Sequence, residues 1–257
     1  MGRAVPAVSR ALDILELFLD QPALSAPQIT DRLGLPRTTV HELVTTLVDR
    51  GYLEAVPGGP TRFRLGMRVF QLGSQFADRL DLVREAQDAA AKIAASCDET
   101  VHVAVLDGTS VVYVAKADST HPVRMVSAVG RRLPAHCTGV GKMLLSGLSE
   151  EALAETYPRG QALDAMTDNS ITTLPRLRAH LSDVRAAGIA YDECESNEAV
   201  RCVAAPVFDH TGRMAAAMSI SVPVLRWTDE RCAEWTDLIR VGARALSERL
   251  GHRERPA

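Results

Sequence analysis

The chain has 257 residues, is 46% hydrophobic and 24% charged, and carries a net charge of −3. That is enough apolar material for one large or two ordinary folded domains, and it excludes a disordered chain or a strongly basic nucleic-acid coat. No apolar run is long enough to span a bilayer, and the opening "MGRAVPAVSRALDILELF" has neither a leader's apolar core nor its cleavage site, so neither a membrane span nor a signal peptide is expected.

Taken in order, "SRALDILELFL" (9–19) places Leu12, Leu15, Phe18 and Leu19 on one helical face, with Ser9 as its expected N-cap. "SAPQITDRLG" opens with Ser25 and Gln28 at capping-box spacing and closes at Gly34, which predicts a two-turn helix. Leu35-Pro36 then starts a third helix, with the proline expected in its first turn. Its stripe Val40, Leu43, Val44, Leu47 and Val48 faces inward; Arg37, Thr38, Thr39, His41, Glu42 and Thr45 lie outside that stripe. "YLEAV" and "TRFRL" alternate around "PGGP", a strand, turn and strand that put Arg62 and Arg64 on one face.

Three helices followed by a hairpin predict a winged helix-turn-helix, a unit that lays the N-terminal part of its third helix in the major groove of double-stranded DNA. Arg37, Thr38, Thr39, His41, Glu42 and Thr45 are therefore the expected base- and phosphate-facing residues, with Arg62 and Arg64 on the wing. Glu42 is costly beside phosphates unless it accepts a hydrogen bond from a cytosine amine. Charge agrees only mildly: the first 75 residues hold eight arginines against seven acidic residues. Met67, Phe70, Phe76 and Leu80 then suggest a linker helix offering apolar side chains to a partner chain, and an Ala-rich helix runs on from near Asp81.

Beyond it, "TVHVAVLDGTSVVYVAKA" reads as a hairpin turning at Asp107-Gly108, and "PVRMVSAVG" (122–130) as a third strand. "HCTGVGKMLLSG" is a loop entering a helix. "SEEALAETY" and "TLPRLRAHLSDVRAAG" are helices with Ser149 and Thr173 as caps. "IAYDE", "RCVAAPVFD" and "RMAAAMSISVPV" are strands, and a last helix begins after Thr228. A hairpin-rich antiparallel sheet with flanking helices is α+β.

"GRRLPAHCTGVGKMLL" (130–145) and "GIAYDECESNEAVRCVAAPVFDHTGRMAAAMSIS" (188–221) resemble the IclR family of bacterial transcription regulators, as do "LPRTTVHELVTTLVDRGYL" and "FRLGMRVFQLG". The likeness runs from about residue 5 to residue 250. It implies an N-terminal winged helix-turn-helix domain (5–66), a linker helix (67–81) and a C-terminal GAF-like antiparallel-sheet effector domain (82–251). It also implies a homodimer or dimer of dimers on operator DNA. Carried over residue by residue, the effector site takes the Gly139 and Val140 N–H groups, Asp192, Cys202, Ser219 and Ser221, walled by Met125, Leu133 and Val200. The local chemistry agrees. Free N–H groups at a helix start favour a carboxylate or phosphate, and Ser219 and Ser221 share one strand face. Asp192 would instead suit a donor at the effector's other end. This chain departs from the family's usual residues at Glu42, Cys194 and Ala199, so neither the operator nor the effector can be borrowed from it.

Two other readings compete: a regulator that has lost effector sensing, and a small-molecule hydrolase using His136 and Cys137. The second is disfavoured because adjacent residues on an extended chain point apart. The five cysteines, Cys97, Cys137, Cys194, Cys202 and Cys232, form no C-x-x-C; reduced thiols in a cytoplasmic protein are expected, with no metal and no cofactor.

Overall fold

A computed structural model describes residues 5–57, 61–77, 81–123, 127–158 and 162–253, the side chains of 75–77 and 81 excepted. The chain divides into two compact units, Met1–Leu80 and Asp81–Ala257.

In the first unit, helix α1 spans Pro6–Glu16 and a 3-10 turn, Leu17–Leu19, extends it. Ser9 is not its cap. Pro6 has no N–H to lose and a fixed φ suited to a first helical position, so the helix starts three residues before Ser9. The Ser9 hydroxyl donates back to the Val5 carbonyl at 3.4 Å. Helix α2 (Ala26–Leu33) has the expected capping box between Ser25 and Gln28, and Gly34 ends it at a left-handed φ of 64°. Helix α3 (Arg37–Asp49) has Pro36 at its N-cap rather than in its first turn, and the Pro36 carbonyl accepts from Val40 N–H. Val40, Val44 and Leu47 bury against Ile14, Phe18, Ile29 and Leu53, the core of the unit.

Strands β1 (Leu53–Val56) and β2 (Arg62–Leu65) pair antiparallel in the register Leu53↔Leu65; the Gly58–Pro60 part of the expected turn lies outside the described residues. Leu24 and Phe63 exchange two backbone hydrogen bonds, tying the wing back to the α1–α2 connection. Helix α4 (Met67–Ala77) exposes Met67, Phe70 and Leu72; the side chains of Phe76 and Leu80 are outside the described residues.

The second unit is a six-stranded antiparallel sheet between two helical layers. Its elements are α5 (Asp81–Cys97), β3 (Thr100–Asp107), β4 (Ser110–Ala117), β5 (Arg132–Pro134), α6 (Gly139–Ser146), α7 (Glu150–Thr156), α8 (Leu174–Ala187), β6 (Ala190–Glu193), β7 (Val200–Phe208), β8 (Met214–Pro223) and α9 (Asp229–Arg249). The strand order is β5-β4-β3-β8-β7-β6. One face buries Val101, Val103, Val203, Val207, Met218 and Ile220 under α5 and α9. The other lies under α6 and α8, with Val140, Leu144, Leu177 and Leu181 in its core.

The strand expected over 122–130 does not form among the described residues; Arg124–Val126 lie outside them. Gly130 turns the chain at a φ of 84°, and only after that turn does Arg132–Pro134 reach the β4 edge in ladder register. Thr173 occupies the N-cap position of α8 but its side chain makes no capping bond. Pro175 sits in the first turn and removes one of the N–H groups such a cap serves. Among the described residues no helix is long and apolar enough to cross a membrane.

Candidate DNA-reading helix and effector site

Arg37, Thr38, His41, Glu42 and Thr45 are exposed along one side of α3, and Thr39 is half-buried. The buried stripe at Val40, Val44 and Leu47 fixes that orientation, because it can face only the core of its own unit. Arg62 and Arg64 are exposed on the same face of β2. Both are already engaged: Arg62 donates to the Ala23 carbonyl at 3.2 Å, and Arg64 pairs with the Glu54 carboxylate across the hairpin. A phosphate would have to share or replace those partners.

In the second unit the register of the sheet lines up a polar row. Asp192 on β6 pairs Cys202 on β7, Cys202 pairs Ser221 on β8, and Ser221 pairs Thr100 on β3. A second row runs Ala190, Ala204, Ser219 and His102. Directly opposed residues share a face, and this is the face covered by α6. The start of α6 presses on it: a Cβ at Gly139 would meet Ala204, Cys202 and the Asp192 backbone at 3.5–3.6 Å. Thr138 caps α6 by accepting from Gly141 N–H at 3.0 Å, which leaves the Gly139 and Val140 N–H groups without partners inside the helix.

The sequence-predicted residues Gly139, Val140, Asp192, Cys202, Ser219 and Ser221 are thus gathered under one helix terminus and are all buried. Val200 lies two residues before Cys202 and shares its strand face; Leu133 is buried in the same cluster as Val140, on β5. Met125 lies outside the described residues.

Two residues of this row were not read from the sequence. Thr100 has a buried hydroxyl with no hydrogen-bond partner. His102 bridges Ser221 (3.2 Å) and Ser127 (2.6 Å) and stacks on Tyr113 with ring centroids 4.5 Å apart. The available signal was parity: Thr100 and His102 alternate with Val101 and Val103, as Ser219 and Ser221 alternate with Ile220 and Val222. Burial drives the His102 pKa down to about 3, so the ring is neutral.

Asp192 does more for its own loop than its sequence suggests. It accepts from the Glu195 and Ser196 N–H groups at 2.7 and 3.2 Å and from the Ser196 hydroxyl. Burial nevertheless raises its pKa to about 6 from an ordinary 3.8, outweighing those bonds and the pull of Lys142. The folded state therefore favours the protonated carboxyl. Asp192 contributes stability in full below its ordinary value and loses it as pH rises through about 6. In denaturant titrations, the stability difference between the parent and Asp192→Asn should move by about 3 kcal/mol in the variant's favour between about pH 3 and about pH 7. A pH-independent difference would reject this.

His136 and Cys137 form no catalytic pair. Each turns toward the Asp164 carbonyl, at 3.0 and 3.7 Å, and burial lowers the histidine pKa while raising that of the thiol. That is the opposite of what a thiolate–imidazolium couple needs. No group of three or more His, Cys, Asp or Glu side chains among the described residues is arranged to hold a metal.

Residues 7–57 match the IclR helix-turn-helix domain, and residues 74–248 match the bacterial transcriptional regulator IclR C-terminal family. The HTH-type transcriptional regulator KdgR of Escherichia coli K12 is 31% identical over 253 residues, covering 98% of this chain and 95% of its own. The transcriptional repressor IclR of the same organism is 30% identical, covering 96% of this chain and 90% of its own. An IclR homologue from Microbacterium hydrocarbonoxydans, crystallised with 4-hydroxybenzoate, superposes with a TM-score of 0.82 at 26% identity, covering 95% of this chain and 98% of its own. With a reading helix and wing in one unit, a polar row under a helix terminus in the other, and these likenesses along nearly its whole length, the chain belongs to the IclR family: it is a DNA-binding transcriptional regulator with a C-terminal effector domain, not an enzyme.

Proposed function

We propose that the protein works in the cytoplasm as a homodimer, or a dimer of dimers, built from a DNA-binding part (5–66), a linker (67–81) and an effector part (82–251). Its recognition helices would contact operator half-sites about 34 Å apart or a multiple of that. The exposed Met67, Phe70 and Leu72 on α4 support a second copy as their cover, since exposed apolar side chains grouped on one helix mark an interaction surface. Arg37 and His41 read or position on bases, Thr38, Thr39 and Thr45 hold the backbone or base edges, and Glu42 excludes sequences that offer it no donor.

The effector is a small organic carboxylate. The observation that carries this is the pair of helix-start N–H groups at Gly139 and Val140, set against a buried face bearing Ser219, Ser221 and Cys202. A carboxylate at that terminus accepts from the N–H groups and the serine hydroxyls. Leu133 and Val200 supply the apolar wall. The ligand of the Microbacterium relative has this form, a carboxylate at one end and a donor-bearing hydroxyl at the other.

Calorimetric titration of the full chain with small carboxylates, 4-hydroxybenzoate among them, tests the effector site. Saturable binding that Ser219→Ala and Ser221→Ala weaken is expected; heat unaffected by either variant would reject the site, and no binding would favour a regulator that has lost sensing. On DNA, Arg37→Ala should cost about 1–3 kcal/mol of operator affinity if it meets a guanine edge. Arg62→Ala and Arg64→Ala should weaken all sequences alike and flatten the salt dependence. An unchanged operator affinity for Arg37→Ala removes that residue from the reading set.

A further inference from the structure

A groove of about 600 Å3 runs along the outer side of α8. It does not open under α6. Its wall is one face of α8, where Arg176, His180 and Asp183 stand at helical spacing, and its opposite side is Asn169, Ile171 and the loop carrying Glu195.

Two polar atoms at this groove are buried and have no partner: Glu195 Oε2 and His180 Nε2. Glu195 is 95% buried, so the orphaned oxygen has no solvent to turn to. Its other oxygen is taken by Lys142, whose side chain is fully buried in α6. A buried carboxylate oxygen without a donor is costly, and it is met by water or by a ligand that brings N–H groups. His180 is pushed toward its neutral form by burial and by the nearby Lys142 charge, so Nε2 can accept as well. Asp183 and the Asn169 amide oxygen offer further acceptors at the rim, and the exposed Arg176 is the cation of the lining. Buried acceptors with no donor of their own suit an ammonium, and the Arg176 guanidinium in the same lining suits a carboxylate on the same molecule.

We propose that this groove is a second ligand site, separate from the effector site proposed under α6, and that it takes a small zwitterion whose ammonium sits on Glu195 and His180 and whose carboxylate meets Arg176. The apolar stretch between the two charges rests on Ile171, and the volume is within the range of small-molecule sites. Glu195 links the two places. Its N–H holds Asp192 at 2.7 Å, and its carboxylate holds Lys142 three residues into the helix whose start faces the effector. Occupation of the groove and of the pocket therefore act on the same loop.

The test is nuclear magnetic resonance titration of the full-length 15N-labelled protein with three probes: β-alanine, ethanolamine and propionate. β-Alanine should shift amides of α8 and of the 193–196 loop and saturate. Ethanolamine, lacking the carboxylate, should do so about tenfold more weakly, and propionate should leave the α8 amides unmoved. His180→Ala, a change on the accessible side of α8 that leaves the core intact, should weaken β-alanine about tenfold. Glu195→Gln should do the same if it folds, and Arg176→Ala should reduce β-alanine to the level of ethanolamine. Ser221→Ala, in the proposed effector site, should leave the α8 shifts unchanged, which separates this site from the effector reading. No saturable shift at α8 up to tens of millimolar means a groove holding water only and overturns the proposal. So does β-alanine binding that survives His180→Ala at full strength.

Discussion

Lys142→Met is expected to lower the stability of the effector unit by about 3–5 kcal/mol, because it strips the counter-charge from a carboxylate that is almost wholly buried. Lys142 is fully buried and Glu195 nearly so, and the Lys142 ammonium sits directly on Glu195 Oε1. The pair joins α6 to the loop after β6, two elements that approach each other only in the folded unit. A buried ion pair is weak evidence of net stabilisation, since desolvating both charges costs about as much as their attraction returns. The informative comparison is therefore the double variant. Lys142→Met with Glu195→Leu should recover most of the loss, by replacing an orphaned charge with apolar volume. Urea titrations of parent, single and double variants decide it; a double variant no more stable than Lys142→Met would show that the pair does more than cancel its own charge.

Gly141→Ala is expected to cost about 3 kcal/mol or to prevent α6 from seating at all. A Cβ at that position would run into the Ala135 backbone, 2.5 Å from its Cα and 2.6 Å from its carbonyl carbon, and backbone has nowhere to go. The close approach exists because the 3-10 turn Ala135–Cys137 folds directly into the capped start of α6. Gly147, at the other end of the same helix, is the control. Its added Cβ would come closest to the Met214 side chain, at 3.1 Å, a thioether that can swing aside, and would touch the Leu144 carbonyl oxygen only at an ordinary 3.4 Å. Gly147→Ala should therefore be nearly neutral. Equal stability of the two variants, measured by denaturant titration, would mean that the α6 start tolerates displacement. It would also weaken the case for a rigid pair of N–H groups aimed at an effector.

How legible each part was depended on how local its cause is. The capping box at Ser25–Gln28, the left-handed Gly34 and the stripe on α3 were readable because each is written within one or two helical turns. Ser9 and Thr173 misled for the same reason: a capping residue type was present, but a neighbouring proline decided where the helix began or which N–H groups remained. The missing strand at 122–130 is a failure of another kind. Its alternation is genuine, but a strand needs an edge to pair with, and β4 accepts only Arg132–Pro134.

The sequence alone determined the three helices and hairpin of the first unit, the buried face of α3 and the shared strand face of Ser219 and Ser221, because all three follow from the fixed periods of helix and strand. Only the tertiary structure decided that Thr100 and His102 complete the polar row, that Arg64 is already tied to Glu54, and that Lys142 meets Glu195, 53 positions further along the chain. Those facts depend on strand register and on which helix covers which face, and no local pattern specifies either.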